Sequence, residues 1–346
     1  MATLTETAYF VKRFLAGFFF LISLFVVGKT VLNYYKAYQL AHRPPTPPPY
    51  TLAFGRLPKV KLPPDNRKTT RYTIGTLDGK IPSFPPIGTV YFIPPHPGFT
   101  FFTKERAYNF AKKFGFQGEP TIVSSEEYQW TDPELPGRIF TLNIFTNNFV
   151  LEYNFATDSA VLKSRPPQKR EAETFASRFL VNKNIMPKDL EKGDIRSKYL
   201  FFDGKNFKRT TLYSEANLVR VDLFRQNINK MPVVTEKYNQ GLVSFLISGA
   251  EKKKKILQLE YTFWPVDLEN SGTYPLKTGE EAFSELKAGG GTVVLGEEQE
   301  EAVIRNIYLA YLDTKAHQSF LQPIFVFEGD KNFVAYVPAI KEEWVE

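Results

Sequence analysis

The chain has 346 residues, 43% hydrophobic and 15% aromatic, which is enough to bury a sizeable core in one large domain or two. It contains no cysteine, which excludes disulfides, cysteine-ligated metals and thiol catalysis. The net charge of +7 invites a nucleic-acid reading, but residues 1–43 carry +4 of it. The remaining body is close to neutral and lacks the electrostatic footprint of a phosphate binder, so no nucleic-acid partner is expected.

The first predicted element is the apolar run Phe14 to Val27, FLAGFFFLISLFVV, with Lys12-Arg13 before it and Gly28-Lys29 after it. Counted on to Leu32 it is 19 residues, or about 28 Å of helix, close to the hydrocarbon thickness of a bilayer. Phe14, Phe18, Phe19, Phe20, Leu21, Ile22, Leu24, Phe25, Val26 and Val27 would face lipid, and Tyr34, Tyr35 and Tyr38 follow as an interfacial belt. A cleaved signal peptide shares the basic start and apolar centre, but no small-x-small site follows Val27. A buried core helix is the other alternative, but the run is apolar all round, rich in Phe and set apart from the other apolar segments. The expectation is a single-pass anchor in the cell membrane, with the lipid bilayer as its first partner. The basic residues flanking the run nearly balance. A short leading tail before a large domain favours a body outside the cytoplasm.

Residues 44–49, PPTPPP, read as a stiff spacer. Prolines recur at Pro63-Pro64 and through 81–97, so residues 44–102 are expected to be a linker and extended region, with a first strand at Arg71–Thr76. The expected fold class is α+β: an N-terminal transmembrane helix, then three units of helix plus antiparallel meander, at 103–166, 167–265 and 266–346.

The first unit has a helix from Thr103, with Ala107, Phe110, Ala111 and Phe114 on one face, then strands Arg138–Phe145 and Asn148–Phe155. The second has Ala172, Phe175, Ala176, Phe179 and Leu180 at helical spacing. Its strands are Tyr199–Asp203, Phe207–Tyr213 and Leu218–Phe224, followed by a long hairpin pairing Val243–Ile247 with Leu257–Phe263. The hairpin tip Glu251–Lys255, EKKKK, reads as a solvated turn, with an anionic-lipid or partner patch as the sharper alternative. The third unit opens on the capping box Thr278-Gly279-Glu280-Glu281, and Gly289-Gly290-Gly291 ends its helix. Strands Ile304–Leu312, Leu321–Phe327 and Phe333–Ile340 follow.

No chemistry-bearing motif emerges. His42, His96 and His317 lack metal-ligand spacing, and there is no HExxH, nucleophile elbow, Walker A loop or G-x-G-x-x-G. Glu152 and Glu260 hold the wet phase of their strands and would meet only through tertiary structure. No catalytic residue, cofactor or metal is expected, and the chain does not read as an enzyme. Trp130 and Trp264 end predicted strands; they line a ligand or partner groove in one reading and pack in the core in the plainer one.

The string WPVDLENSGTYPLKTGEEAFSELKAGG at Trp264–Gly290, followed by Ile307–Leu312 and LQPIFVFEGDKNFVAYVPAI, resembles the membrane-anchored YycH/YycI-type regulators and the wider PepSY-like modules. The resemblance covers about the last 85 residues. It implies binding rather than catalysis. Such proteins contact a sensor kinase through membrane helix and ectodomain, and PepSY-like modules are associated with protease inhibition or envelope regulation. A non-catalytic extracytoplasmic protein that regulates another membrane protein is therefore the expected function. Binding of a cell-envelope polymer or peptide, or a structural place in an envelope complex, is the alternative.

Overall fold

A computed structural model of the protein describes residues 4–41, 49–66, 69 and 71–346. The expected spacer, Pro49 excepted, and His42 lie outside the described residues. The fold is mixed α+β, with residues 50–346 forming one compact body.

Helix α1 spans Leu4–Ala41, longer at both ends than the apolar run that nucleates it. Its stretch Val11–Gln39 is long and apolar enough to cross a membrane. Phe14, Phe18, Phe19, Phe20, Leu21, Ile22, Leu24, Phe25, Val26 and Val27 are all exposed. The Thr30 hydroxyl donates back to the Val26 carbonyl at 2.8 Å, which satisfies it within the helix.

The body begins with β1 (Arg71–Ile74), β2 (Ile87–Phe92) and α2 (Thr103–Lys113). Then come β3 (Thr121–Ile122), β4 (Glu127–Thr131), β5 (Arg138–Asn143) and β6 (Phe149–Tyr153). Next are α3 (Ser159–Leu162), α4 (Lys169–Asn182), α5 (Lys188–Glu191), β7 (Ile195–Phe202), β8 (Phe207–Thr210), β9 (Leu218–Leu223) and β10 (Val233–Thr235). After the hairpin of β11 (Val243–Ser248) and β12 (Ile256–Tyr261) comes β13 (Asp267–Pro275), then α6 (Gly279–Ala288). The last strands are β14 (Thr292–Leu295), β15 (Glu301–Asp313), β16 (Phe320–Leu321), β17 (Pro323–Gly329) and β18 (Val334–Pro338).

Nine strands form one antiparallel sheet in the order β3-β4-β5-β6-β12-β11-β9-β7-β8. The expected first and second units are therefore halves of a single sheet, joined where β6 pairs β12. Residue 166 is not a sheet boundary, because strands that each bury one face gain by sharing one core. Helices α2 and α4 pack on the same side of it. Ala107 and Ala111 of α2, and Ala172, Ala176 and Leu180 of α4, are fully buried. Small side chains at those positions let the helix axes approach the strands, and Phe114 and Phe179 fill the space between. Thr103 is the first helical residue, as expected, and its hydroxyl accepts from the Thr100 N–H at 2.8 Å.

The other sheet orders β1-β15-β17-β18-β14, with β10 also on β15. Both β1 and β10 run parallel to β15, one beside each end of that 13-residue strand. A three-stranded sheet, β13-β2-β16, lies beside it. The capping box forms as expected: Thr278 Oγ1 accepts from the Glu281 N–H at 3.1 Å, and the Glu281 carboxylate accepts from the Thr278 N–H at 2.6 Å. Gly289 closes α6 at φ +92°, a conformation that favours glycine.

The third unit is not self-sufficient. It takes β1 and β2 from the proline-rich segment and β10 from within the second unit, and Leu57 bridges Val345 near the C-terminus. Residues 50–92 are thus built into this lobe rather than forming a linker. Proline supplies no N–H to a ladder, so Pro85-Pro86 and Pro94-Pro95 bound β2 instead of excluding it.

Arg225 sits where the chain crosses between the lobes. Its guanidinium donates to Asp313 at the end of β15 (2.6 Å), to Asp189 of α5 and to the Trp264 carbonyl, and it lies 4.3 Å from the Phe263 ring centroid. Burial works against that charge, but Asp313 and Asp189 more than offset it, so the Arg225 pKa lies above its usual value. Replacing Arg225 with Met leaves Asp313 buried without its partner. In urea unfolding of the full chain in detergent, Arg225→Met is expected to lose about 3–5 kcal/mol, and Asp313→Asn in that background to regain part of it.

Candidate functional site

Trp130 and Trp264 pack in the core, the plainer of the two readings, and do not line a groove. Trp130 is 2% exposed and donates its Nε1–H to the Gly118 carbonyl at 3.1 Å. Its strand phase puts it with Tyr128 under the helices, edge-on to Tyr108. Trp264 is 9% exposed, donates to the Thr314 carbonyl at 3.1 Å, and packs against His317. Both indoles spend their single donor inside the core, leaving nothing for a ligand.

The turn at the β11–β12 tip stays open to solvent at Glu251 and Lys252, while the next three lysines are engaged. Lys253 Nζ donates to Asp132 and Glu134, each at 2.8 Å, and Lys254 pairs with Asp158 at 2.6 Å. Lys255 lies 4.4 Å from the Phe175 ring centroid. Asp132 is fully buried and also holds Arg138 at 3.0 Å. Burial opposes its ionisation, but Lys253, the Glu134 N–H and Arg138 outweigh that and keep its carboxyl below the usual value. Sequence reasoning missed these links because every acidic partner lies about a hundred residues from the run.

The sheet face away from α2 and α4 carries a polar array. Cross-strand register places Glu152 beside Gln258 and diagonal to Glu260, so the two carboxylates share this face. Gln258 Nε2 donates to Glu260 at 3.3 Å. Nearby, Arg220 grips Asp222 with its Nε (2.9 Å) and reaches Ser244 Oγ at 3.1 Å, and the Gly241 N–H donates to the same carboxylate at 3.1 Å. Burial pushes the Asp222 carboxyl up, against Arg220 and Lys198. The adjoining recess, edged by Arg220, Glu236, Lys237, Glu260 and Lys315, encloses about 90 Å³. That is room for a few waters and no substrate. Charges of alternating sign there offset one another.

His96 stacks on Phe145, and His317 Nε2 donates to the Pro94 carbonyl at 3.2 Å. Among the described residues no group of three His, Asp or Glu is placed to hold a metal ion.

A trough of about 870 Å³ runs along the outer side of α4. Arg170, Phe175, Arg178, Phe179 and Lys183 edge it, with Glu171 as its one acid. The helix is firmly seated. The Glu171 carboxylate accepts from the Gln168 N–H (3.1 Å), the Phe179 ring packs on Phe245, and Lys183 Nζ donates to the Lys113 carbonyl at the end of α2. Burial, then the nearby Arg138, lower the Lys183 pKa, as expected in a locally positive site. Half-buried phenyl faces between guanidinium forks suit an acidic, extended protein segment rather than a small molecule. The amphipathic spacing of α4, Phe175 and Phe179 included, was legible in the sequence; the basic rim that joins them in a trough was not, because helical periodicity reports only the apolar positions.

No family model matches the chain, and no curated protein matches it. Among solved structures, an uncharacterised protein from Eubacterium rectale ATCC 33656 is similar at 14% identity, with a TM-score of 0.39 over 74% of this chain and 78% of that one. At that distance the likeness carries no functional argument.

The lysine links make a testable acid limb. Lys254 and then Tyr153 hold the Asp158 carboxyl down at about 2 from an ordinary 3.8. A carboxyl depressed on folding stabilises above its unfolded value and loses that contribution as pH falls through its folded value. Stability should therefore drop between about pH 4 and pH 2. Asp158→Asn is expected to be less stable at pH 7 and to show a shallower drop over that interval, read by thermal unfolding across pH.

Proposed function

We propose that this chain is a membrane-anchored, non-catalytic interaction protein. In this reading its extracytoplasmic body regulates another membrane protein, such as a sensor kinase or a protease. The observation that carries the reading is α1, a 38-residue helix whose large apolar side chains from Val11 onward face outward on every side. Such a helix leaves its apolar surface in water unless a bilayer or a partner helix covers it. The resemblance of the C-terminal 85 residues to YycH/YycI-type regulators supports a regulatory role, and the basic, aromatic trough of α4 supports an acidic segment of the partner as its ligand.

In crosslinked pull-downs from native membranes, full-length protein is expected to recover one membrane protein in stoichiometric yield. The same body on an unrelated anchor should recover less if α1 makes contacts. Arg170→Glu with Arg178→Glu should cut recovery about tenfold by reversing the trough's charge. Equal recovery from all three would sink both the helix contact and the trough. Protease shaving of sealed vesicles decides which side the body occupies: an extracytoplasmic body is cut in whole cells, a cytoplasmic one only after lysis.

A further inference from the structure

We propose that the turn Phe99–Phe102 is a lipid-docking element that lays the body on the surface of an anionic bilayer. This goes beyond the regulatory reading and rests on only one part of it, that α1 spans a membrane.

Three phenylalanines within four residues face solvent: Phe99, Phe101 and Phe102 are 61%, 91% and 59% exposed. Folding gives them little cover. Phe99 meets only the edge of Phe145 at 6.5 Å, and Phe101 and Phe102 meet each other at 5.4 Å. Leaving three adjacent phenyl rings in water is costly, and such a cluster marks a surface that meets something apolar.

The turn is held rigidly in place. Thr100 N–H donates to Thr103 Oγ1 at 2.8 Å, and Arg106 Nη2 donates to the hydroxyls of Thr100 and Thr103 at 3.0 and 3.3 Å. Pro94, Pro95 and Pro97 stiffen its approach. Rings displayed on a pinned turn lose little further freedom on insertion.

Charge selects lipid as the occupant. Helix α2, which the turn leads into, exposes Lys104, Arg106, Lys112 and Lys113 against the single acid Glu105. Apolar rings beside a basic cluster match the acyl boundary and anionic headgroups of a membrane surface.

Chain length brings that surface within reach. Nine peptide steps from Ala41 to Tyr50 extend at most about 31 Å. The body's entry segment then packs Phe54 on Phe320 at 4.8 Å and on Phe92 at 6.4 Å. Phe92 ends the strand that leads into the turn, and the seven residues from it to Phe99 extend at most about 25 Å. A body tethered this closely meets the bilayer at high effective concentration, so three rings suffice where a free protein would need more.

The chain has no native cysteine, so Phe101→Cys in the full-length protein gives a unique site for an environment-sensitive fluorophore. Leu77→Cys, at a fully exposed position outside the turn, serves as reference. Both are reconstituted into vesicles of equal parts phosphatidylcholine and phosphatidylglycerol. The label at 101 should be quenched by lipid-borne nitroxide and be about threefold better protected from aqueous acrylamide than the label at 77, as expected for rings at the acyl boundary. Protection should weaken in pure phosphatidylcholine and in high salt. Equal acrylamide access at both sites, in protein that still floats with the vesicles after alkaline extraction, overturns docking and leaves the anchor standing. Loss of the protein on extraction overturns the anchor and docking together. Protection of 101 in native membranes but not in lipid vesicles also overturns docking, and assigns the turn to a protein partner.

Discussion

One buried guanidinium holds the body's two lobes together. Arg225 reaches the end of β15, the short helix α5 and the Trp264 carbonyl at once, and those groups come from both lobes. A buried charge must be paired on all sides or it unfolds its surroundings, so the lobes cannot separate without exposing Arg225 or stranding Asp313. The crossing segments run close to this point: β10 inserts beside β15 next to Asp313, and Trp264 starts the return from β12 to β13. The body therefore behaves as one unit despite having two large sheets and several separate cores.

The proline-rich segment has a comparable role nearer the chain start. Thr51 and Thr273 exchange N–H-to-hydroxyl bonds of 2.8 and 3.0 Å, Leu57 bridges Val345, and β1 and β2 supply strands to two sheets.

The chemistry of the body is spent on itself. Asp132 with Arg138 and Lys253, Asp222 with Arg220, and Arg225 with its two carboxylates are each arranged so that opposite charges meet across long sequence separations. Shifted carboxyls in these clusters follow from burial and pairing. What stays turned outward is of a different kind: the basic, aromatic trough of α4 and the phenylalanine turn before α2.

Local pattern carried much of the fold. Apolar runs and alternations located α1, α2, α4, α6 and most central strands, because a helix face or strand phase is written in neighbouring residues. The Thr278 capping box and the Gly289 stop were legible for the same reason. Short or polar strands such as β10 and β13 escaped, since Val233–Thr235 and the DLENSG stretch become strands only when a distant partner completes their hydrogen bonds. The candidate site was less legible still. Trp130 and Trp264 gave no sign that their indole donors would find Gly118 and Thr314, and the EKKKK run gave none that Asp132, Glu134 and Asp158 would collect its lysines. By itself the sequence determined which segments are helical, which faces are apolar and that one helix is fit for a membrane, because those properties depend on residues a few positions apart. Only the tertiary structure decided which strands share a sheet, which charges are paired and which aromatics remain outside, because each depends on groups the chain separates by tens to hundreds of residues.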